Sequence, residues 1–141
     1  LHPLERTILQ DIVPGAHVHG QDGFDMAYSL CPPMPRRGLM LVDPSFEVKD
    51  DYMAMPRHLA KIAKVWPVGV LMLWYPILTD MRHRGMLRAL KSALPDALSH
   101  EVRFAPAREG HRMVGSGLFV VNPPWGLDDE LARTGARFAQ L

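Results

Sequence analysis

The sequence has little of several features that would place it in a specialised class of protein. Cys31 is the only cysteine among 141 residues, which excludes an internal disulfide framework and fits a reducing compartment. No apolar stretch has the length needed to span a membrane, and the beginning of the chain lacks a basic-then-apolar signal pattern. These absences predict a cytoplasmic protein without a membrane partner.

The net charge of the chain is also small. The formal charge is only +1, so any contact with a polyanion must come from local basic clusters. Hydrophobic residues make up 48% and charged residues 22%, a globular composition that argues against disorder. The length suits one core, and we expect residues 1–141 to form a single domain.

A metal site is not expected from the sequence either. His17 and His19 flank one residue of a predicted strand and would share a face, as pairs of metal ligands do. No third ligand stands at a convincing spacing. We therefore interpret the pair as solvated or packed histidines and predict no metal.

Helices and strands alternate along the chain in the manner of an α/β protein. Periodic apolar residues predict helices over 3–12, 24–30, 50–66, 80–94 and from Asp128 into the C-terminus. Apolar or alternating runs predict strands over 16–19, 38–43, 68–73, 99–105 and 117–121. The runs at 38–43 and 68–73 are unbroken, which is typical of strands buried on both faces. The alternation predicts a mostly parallel sheet with helices on both faces.

Three predicted strands end in unusual polar or aromatic residues. These ends are Gln21-Asp22-Gly23, Asp43-Pro44-Ser45-Phe46 and Trp74-Tyr75-Pro76. In open α/β sheets the ligand lies beyond the carboxyl ends of the strands. We therefore expect all three ends to lie along one edge of the sheet.

The second of these ends resembles a known pattern. A strand ending in Asp-Pro-Pro-Tyr or Asn-Pro-Pro-aromatic is typical of S-adenosylmethionine-dependent amino methyltransferases, and LMLVDPSFE resembles it with Ser45 in third place. With LMLWYPI and GSGLFVVNPPW in this order and spacing, the chain resembles the J-type methyltransferases of adenine N6 in large-subunit (23S) ribosomal RNA. The resemblance covers nearly the whole chain and implies part of a class I, Rossmann-like methyltransferase fold.

The resemblance also implies roles for particular residues. It gives catalysis to Asp43, Pro44, Ser45 and Phe46, here called the tetrad loop. The Asp43 carboxylate and the Pro44 carbonyl would accept hydrogen bonds from the adenine amine and aim its lone pair at the methyl group. Phe46 would face the base after it has left its stack.

Cofactor and substrate contacts follow from the same resemblance. Asp22 and Gly23 fall where the family binds the adenosine of S-adenosylmethionine, and Asp43 borders the cofactor as well. Trp74 and Tyr75 would line the wall of the base pocket. The family's Gly-rich cofactor loop and its ribose-binding acidic residue would lie before Leu1, so the resemblance identifies the chain as the C-terminal part of a methyltransferase.

The sequence leaves alternatives open for the catalytic motif and for the function. Asn122-Pro123-Pro124-Trp125 fits the general tetrad better than the tetrad loop does, but it follows a late strand, and the family places catalysis on the earlier motif. Ser45 replaces the second proline and relaxes the loop, so a silent nucleic-acid-binding relic is one alternative. A DNA adenine methyltransferase is another. The basic loop at 105–117 is the best candidate for contact with ribosomal RNA.

Overall fold

The chain folds as two compact units, Leu1–Cys31 and Pro32–Leu141. A computed structural model describes residues 3–47, 49–106 and 108–139. Ala107 of the basic loop and the last two residues of the expected C-terminal helix lie outside this part. No helix within it is both long and apolar enough to cross a membrane. The single-domain organisation stays a prediction.

The first unit contains two helices, α1 (Pro3–Ile12) and α2 (Gly23–Leu30). Both lie within a residue of their predicted positions, because their apolar spacing and turn residues are local signals. The strand predicted over 16–19 is wrong, since this segment is irregular. The described part of this unit contains no strand that could pair with it.

The second unit is built around a four-stranded sheet. Its strands are β1 (Leu39–Val42), β2 (Val70–Leu78), β3 (Leu98–Arg103) and β4 (Met113–Val121), in the spatial order β1-β2-β4-β3. Its helices are α3 (Lys49–Val65), α4 (His83–Ala93) and α5 (Leu127–Phe138). The helices connect or follow the strands in the order that the sequence predicted.

The sheet is mixed, so the prediction of mostly parallel strands is wrong. β1 and β2 are parallel, but β4 lies between β2 and β3 and is antiparallel to both. The physical reason is the connection between β3 and β4, in which the described residues form no helix. Successive strands joined without a crossover form a hairpin and run in opposite directions. β1, β2 and β3 therefore end at one edge of the sheet, here called the carboxyl edge, and β4 begins there.

Helices lie on both faces of the sheet, as predicted. Tyr75 of β2 stacks on His83 of α4, with ring centroids 5.8 Å apart. Trp74, which precedes Tyr75 in β2, points to the other face because side chains alternate along a strand. On that other face, a Cβ built on Gly135 of α5 would lie 3.0 Å from Cε1 of His100.

β1 is less buried than its unbroken apolar run predicted. Leu39 is 59% exposed and Leu41 is 61% exposed, so this strand is not buried on both faces. β1 lies at the end of the four-strand order, and α5 packs over β3 at the other end. The face shared by Leu39, Leu41 and Met72 is therefore uncovered among the described residues.

Candidate active site

The tetrad loop lies directly beyond β1, at the carboxyl edge. Val42 pairs with Leu73, and β2 continues in the same direction as far as Leu78. Asp43 and Ser45 are exposed, whereas Phe46 is only 4% exposed. The loop thus presents a carboxylate to solvent and anchors itself with a buried aromatic ring.

Phe46 holds an unusual backbone conformation. Its φ is +53°, in the left-handed region that residues other than glycine rarely adopt. Its ring packs on Tyr52 of α3, with centroids 4.6 Å apart and planes tilted by 43°. Burial of the ring holds the strained turn in place, and such strain is frequent at functional loops. A ring so enclosed can stack on a target base only after it moves.

The third residue of the tetrad loop ties the loop to α3. Ser45 donates a hydrogen bond from its hydroxyl to the Asp51 carboxylate, over 3.5 Å. The neighbouring Tyr52 is buried, and its hydroxyl has no hydrogen-bond partner among the described residues. Burial raises the pKa of Tyr52, so this hydroxyl stays protonated at neutral pH.

A charged cluster follows Tyr52 along the carboxyl edge. The Arg82 guanidinium carbon lies 5.9 Å from the centroid of the Tyr52 ring. Asp80 Oδ2 accepts hydrogen bonds from Nη2 of Arg82 and Nη2 of Arg112, both at 2.5 Å. The bond from Arg82 holds the pKa of Asp80 well below its usual range, at about 2, and the charge of Arg112 acts in the same direction.

Sequence reasoning missed the contact between Asp80 and Arg82. It ended β2 at residue 73 and began the next helix at residue 80, whereas β2 runs to Leu78 and α4 begins at His83. Residues 79–82 form a connection in which Asp80 accepts a bond from the backbone N–H of Arg82. An acidic residue two positions before an arginine, just after a strand, was the available signal.

Trp74 and Tyr75 lie inside β2 rather than beyond its end, so the prediction of a third strand exit is wrong. Trp74 donates from Nε1 to the Ser116 hydroxyl over 2.7 Å and borders a cleft of about 280 Å³ beside α5. Tyr75 is completely buried on the opposite face, where its hydroxyl donates to Glu101 over 3.3 Å. Burial raises the pKa of Tyr75. At most one of the two can line a given pocket, and only Trp74 borders open space.

Asp22 caps α2 in the first unit. Its Oδ1 accepts hydrogen bonds from the backbone N–H groups of Phe24, over 2.9 Å, and Asp25, over 3.0 Å. This geometry is that of a helix N-cap and leaves Oδ2 for another donor. A Cβ built on Gly23 would meet nothing within 4 Å. Asp22 and Gly23 therefore begin a helix at an exposed surface, and the prediction that they follow a strand is wrong.

The competing tetrad lies at the other edge of the sheet. Because β4 is antiparallel to β2, its last residue, Val121, pairs with Leu71 near the beginning of β2. Asn122 donates from Nδ2 to the carbonyls of Pro67, over 3.0 Å, and Gly69, over 2.8 Å. The Asn122 side chain therefore holds the turn before β2 and is remote from the carboxyl edge.

Replacing Asn122 is expected to affect stability rather than catalysis. Asn122→Ala loses both hydrogen bonds and places alanine at a φ of +51°, so we expect a loss of about 1–3 kcal/mol in the free energy of unfolding. Asn122→Gly should lose less, because glycine adopts this φ without strain. Urea unfolding of both variants tests the order. A folded Asn122→Gly variant without activity would contradict this structural role.

Two clefts lie at this opposite edge as well. They have volumes of about 540 Å³ and 420 Å³ and meet at Asp96 and Pro123. Asp128 and Asp129 also line the smaller one. Within the described ranges, no three residues of the His, Cys, Asp and Glu types come together as metal ligands would. The smaller cleft is therefore acidic, whereas the larger one also contains Lys64.

Comparison with known proteins agrees with the resemblance seen in the sequence. The family described as ribosomal RNA large subunit methyltransferase D, RlmJ, matches residues 1–140. The ribosomal RNA large subunit methyltransferase J of Escherichia coli is 33% identical over 135 residues, which cover 93% of this chain and 48% of the relative. The protein of the same name from Haemophilus influenzae is 30% identical over the same shares.

A solved structure has the same fold. A crystal structure of a Legionella pneumophila protein is similar with a TM-score of 0.78 and 26% identity, over 94% of this chain and 50% of that one. The chain spans about half the length of the curated relatives it matches. With the family match over residues 1–140, these similarities show that the chain belongs to the RlmJ family of large-subunit ribosomal RNA methyltransferases.

Proposed function

We propose that this chain is part of an S-adenosylmethionine-dependent enzyme that methylates N6 of an adenine in large-subunit (23S) ribosomal RNA. The observation that carries the proposal is the exposed Asp43 carboxylate beside Pro44, just beyond β1 at the carboxyl edge. Membership of the RlmJ family supports the substrate class. The proposal extends to the whole enzyme, of which this chain would supply the amine-activating loop.

The tetrad loop has the groups that amine methylation requires. An adenine N6 amine is a poor nucleophile, because its lone pair is delocalised into the ring. Asp43 and the Pro44 carbonyl can each accept one of its hydrogen bonds, which favours a tetrahedral nitrogen with its lone pair directed away from the loop. Catalysis then comes mainly from orientation and from charge placed where the amine becomes cationic.

Asp22 and Gly23 are the residues of this chain proposed to hold the cofactor. The Oδ2 atom of Asp22 would accept a hydrogen bond from the adenine amino group, and the open space at Gly23 would admit the ring. Bound S-adenosylmethionine supplies the electrophilic methyl group. By the resemblance to the family, the carboxylate of Asp43 is also proposed to contact S-adenosylmethionine, next to its methyl group.

Ser45 departs from the family pattern, and we propose that two contacts restrain the loop in place of a second proline. Its hydroxyl bonds to Asp51, and Phe46 is locked beneath the loop by Tyr52. These two contacts restrict the turn at Ser45 and at Phe46. We propose that they maintain the position of the Pro44 carbonyl in an active enzyme.

The test is methyl transfer by the full-length protein with labelled cofactor. Naked 23S ribosomal RNA and double-stranded DNA serve as the two substrates, at equal nucleotide concentrations. We expect transfer to the RNA, with the label recovered as N6-methyladenine. Transfer to DNA alone would identify a DNA methyltransferase instead. Transfer to neither, by a folded protein that binds RNA, would identify a silent relic.

A further inference from the structure

The carboxyl edge carries two arginines joined through one carboxylate. Arg82 and Arg112 both donate to Asp80 Oδ2, and Arg82 also donates from Nε over 2.9 Å. The backbone supports this arrangement, since the Thr79 N–H donates to the Arg112 carbonyl over 2.9 Å. The end of β2 and the residue before β4 thus hold the two guanidinium groups next to each other.

The cluster has an excess of positive charge and free donors. Two guanidinium groups face one ionised carboxylate, which leaves a net charge of +1. Each guanidinium has five N–H donors, most of which Asp80 does not use. The Arg112 side chain is 58% exposed, so its remaining donors face solvent. This combination suits a phosphate group, whose oxygens accept paired hydrogen bonds from arginine.

The position of the cluster indicates that the bound phosphate belongs to the substrate and not to an unrelated anion. Arg82 lies over the ring of Tyr52, and the same ring packs on Phe46 of the tetrad loop. The cluster is thus two side-chain contacts from the loop that would hold the target base. A nucleotide presented there carries its backbone phosphates a short distance from the base.

Other charges on the sheet are compatible with RNA binding at the carboxyl edge. At the carboxyl edge, Arg103 forms a neutral pair with Glu101, over 3.4 Å. At the opposite edge, the smaller cleft is lined by Asp96, Asp128 and Asp129, which would repel a polyanion, whereas the larger cleft is lined by both Asp96 and Lys64. Asp43 and Asp51 belong to the tetrad loop and its support, where an amine rather than a phosphate is expected.

We propose that Arg82 and Arg112, bridged by Asp80, form a binding site for a backbone phosphate of the RNA beside its target base. This inference rests on the proposed function. Asp80 is then a positioning residue that keeps two arginines at one point in the absence of RNA. Arg112 is the more exposed partner and contributes most of the donors to the phosphate.

The test compares full-length Arg112→Gln with a control, Arg88→Gln, in which an exposed arginine of α4 is lost instead. Arg112→Gln is expected to raise KM for 23S ribosomal RNA roughly tenfold, as loss of a charged hydrogen bond does. The slope of log kcat/KM against log salt concentration should fall by about 1, the value for one phosphate contact. Arg112→Lys should keep the slope, because it keeps the charge.

The outcomes separate this inference from the function on which it rests. If wild type methylates RNA and Arg112→Gln keeps the salt slope of Arg88→Gln, the phosphate site is wrong and the function stands. If wild type neither binds nor methylates RNA, both fail. A purely structural role for the ion pairs would lower the melting temperature of Arg112→Gln while its slope stays unchanged, which also overturns the proposal.

Discussion

Asp43→Ala is expected to lower the rate of methyl transfer by about 10²–10³-fold, the effect of removing one preorganised polar group from an active site. The carboxylate is exposed just beyond β1, so its removal leaves the core intact. Cofactor binding should be preserved, since Asp22 and Gly23 are the proposed adenosine contacts. Single-turnover transfer to 23S ribosomal RNA measures the first effect, and calorimetric titration with S-adenosylmethionine measures the second.

A matched control is available at the opposite edge. Asp96→Ala removes another exposed carboxylate, and its rate should equal that of wild type. Asp43→Asn keeps an acceptor oxygen without the charge and should lie between wild type and Asp43→Ala. Full activity of Asp43→Ala, together with loss of activity in a folded Asn122→Gly, would mean that the wrong tetrad was chosen.

Gly117→Ala is expected to destabilise the protein by about 3 kcal/mol, near the upper end for overpacked cores. A Cβ at this position would lie 2.1 Å from Cζ of Tyr75. The Tyr75 ring is completely buried and stacks on His83, so it has little room to move. Urea unfolding of the full-length protein gives the change in the free energy of unfolding.

Gly85 provides the contrasting substitution. It lies within α4, and a Cβ there would meet nothing within 4 Å. Gly85→Ala should therefore stabilise the protein by about 0.5–1 kcal/mol through helix propensity. If the clash with Tyr75 is the cause of the first effect, Tyr75→Leu should make Gly117→Ala less costly, as a double-mutant cycle would show. Equal costs in both backgrounds would contradict the steric explanation.

The helices were predictable because their signals are local. The apolar spacing over 3–12 and 50–66 gave α1 and α3 within about one residue, and the resemblance to the RlmJ family is confirmed. Sheet order was not predictable in the same way, since periodicity does not encode which strands are neighbours. The missing helix between β3 and β4 was the one available sign of a hairpin, and it was overlooked.

The site was predictable in part. Asp43 does follow a strand at the carboxyl edge, but Trp74 and Tyr75 point to opposite faces because β2 continues beyond them. Burial of Phe46 and the contact between Tyr52 and Arg82 depend on tertiary packing, which no short motif records. The assignments of Asp22, Gly23 and the tetrad loop stay predictions until the substitutions described above are measured.

The location of β4 has a consequence for biosynthesis. Both of its neighbours, β2 and β3, are synthesised before it. Along one edge of each, the backbone N–H and C=O groups stay unpaired until Met113–Val121 is synthesised. Leu71, Leu73 and Tyr75 of β2 stay without this partner strand until β4 is made. A nascent chain stopped before residue 113 would therefore be prone to aggregate, so chaperones matter most between the synthesis of β2 and that of β4.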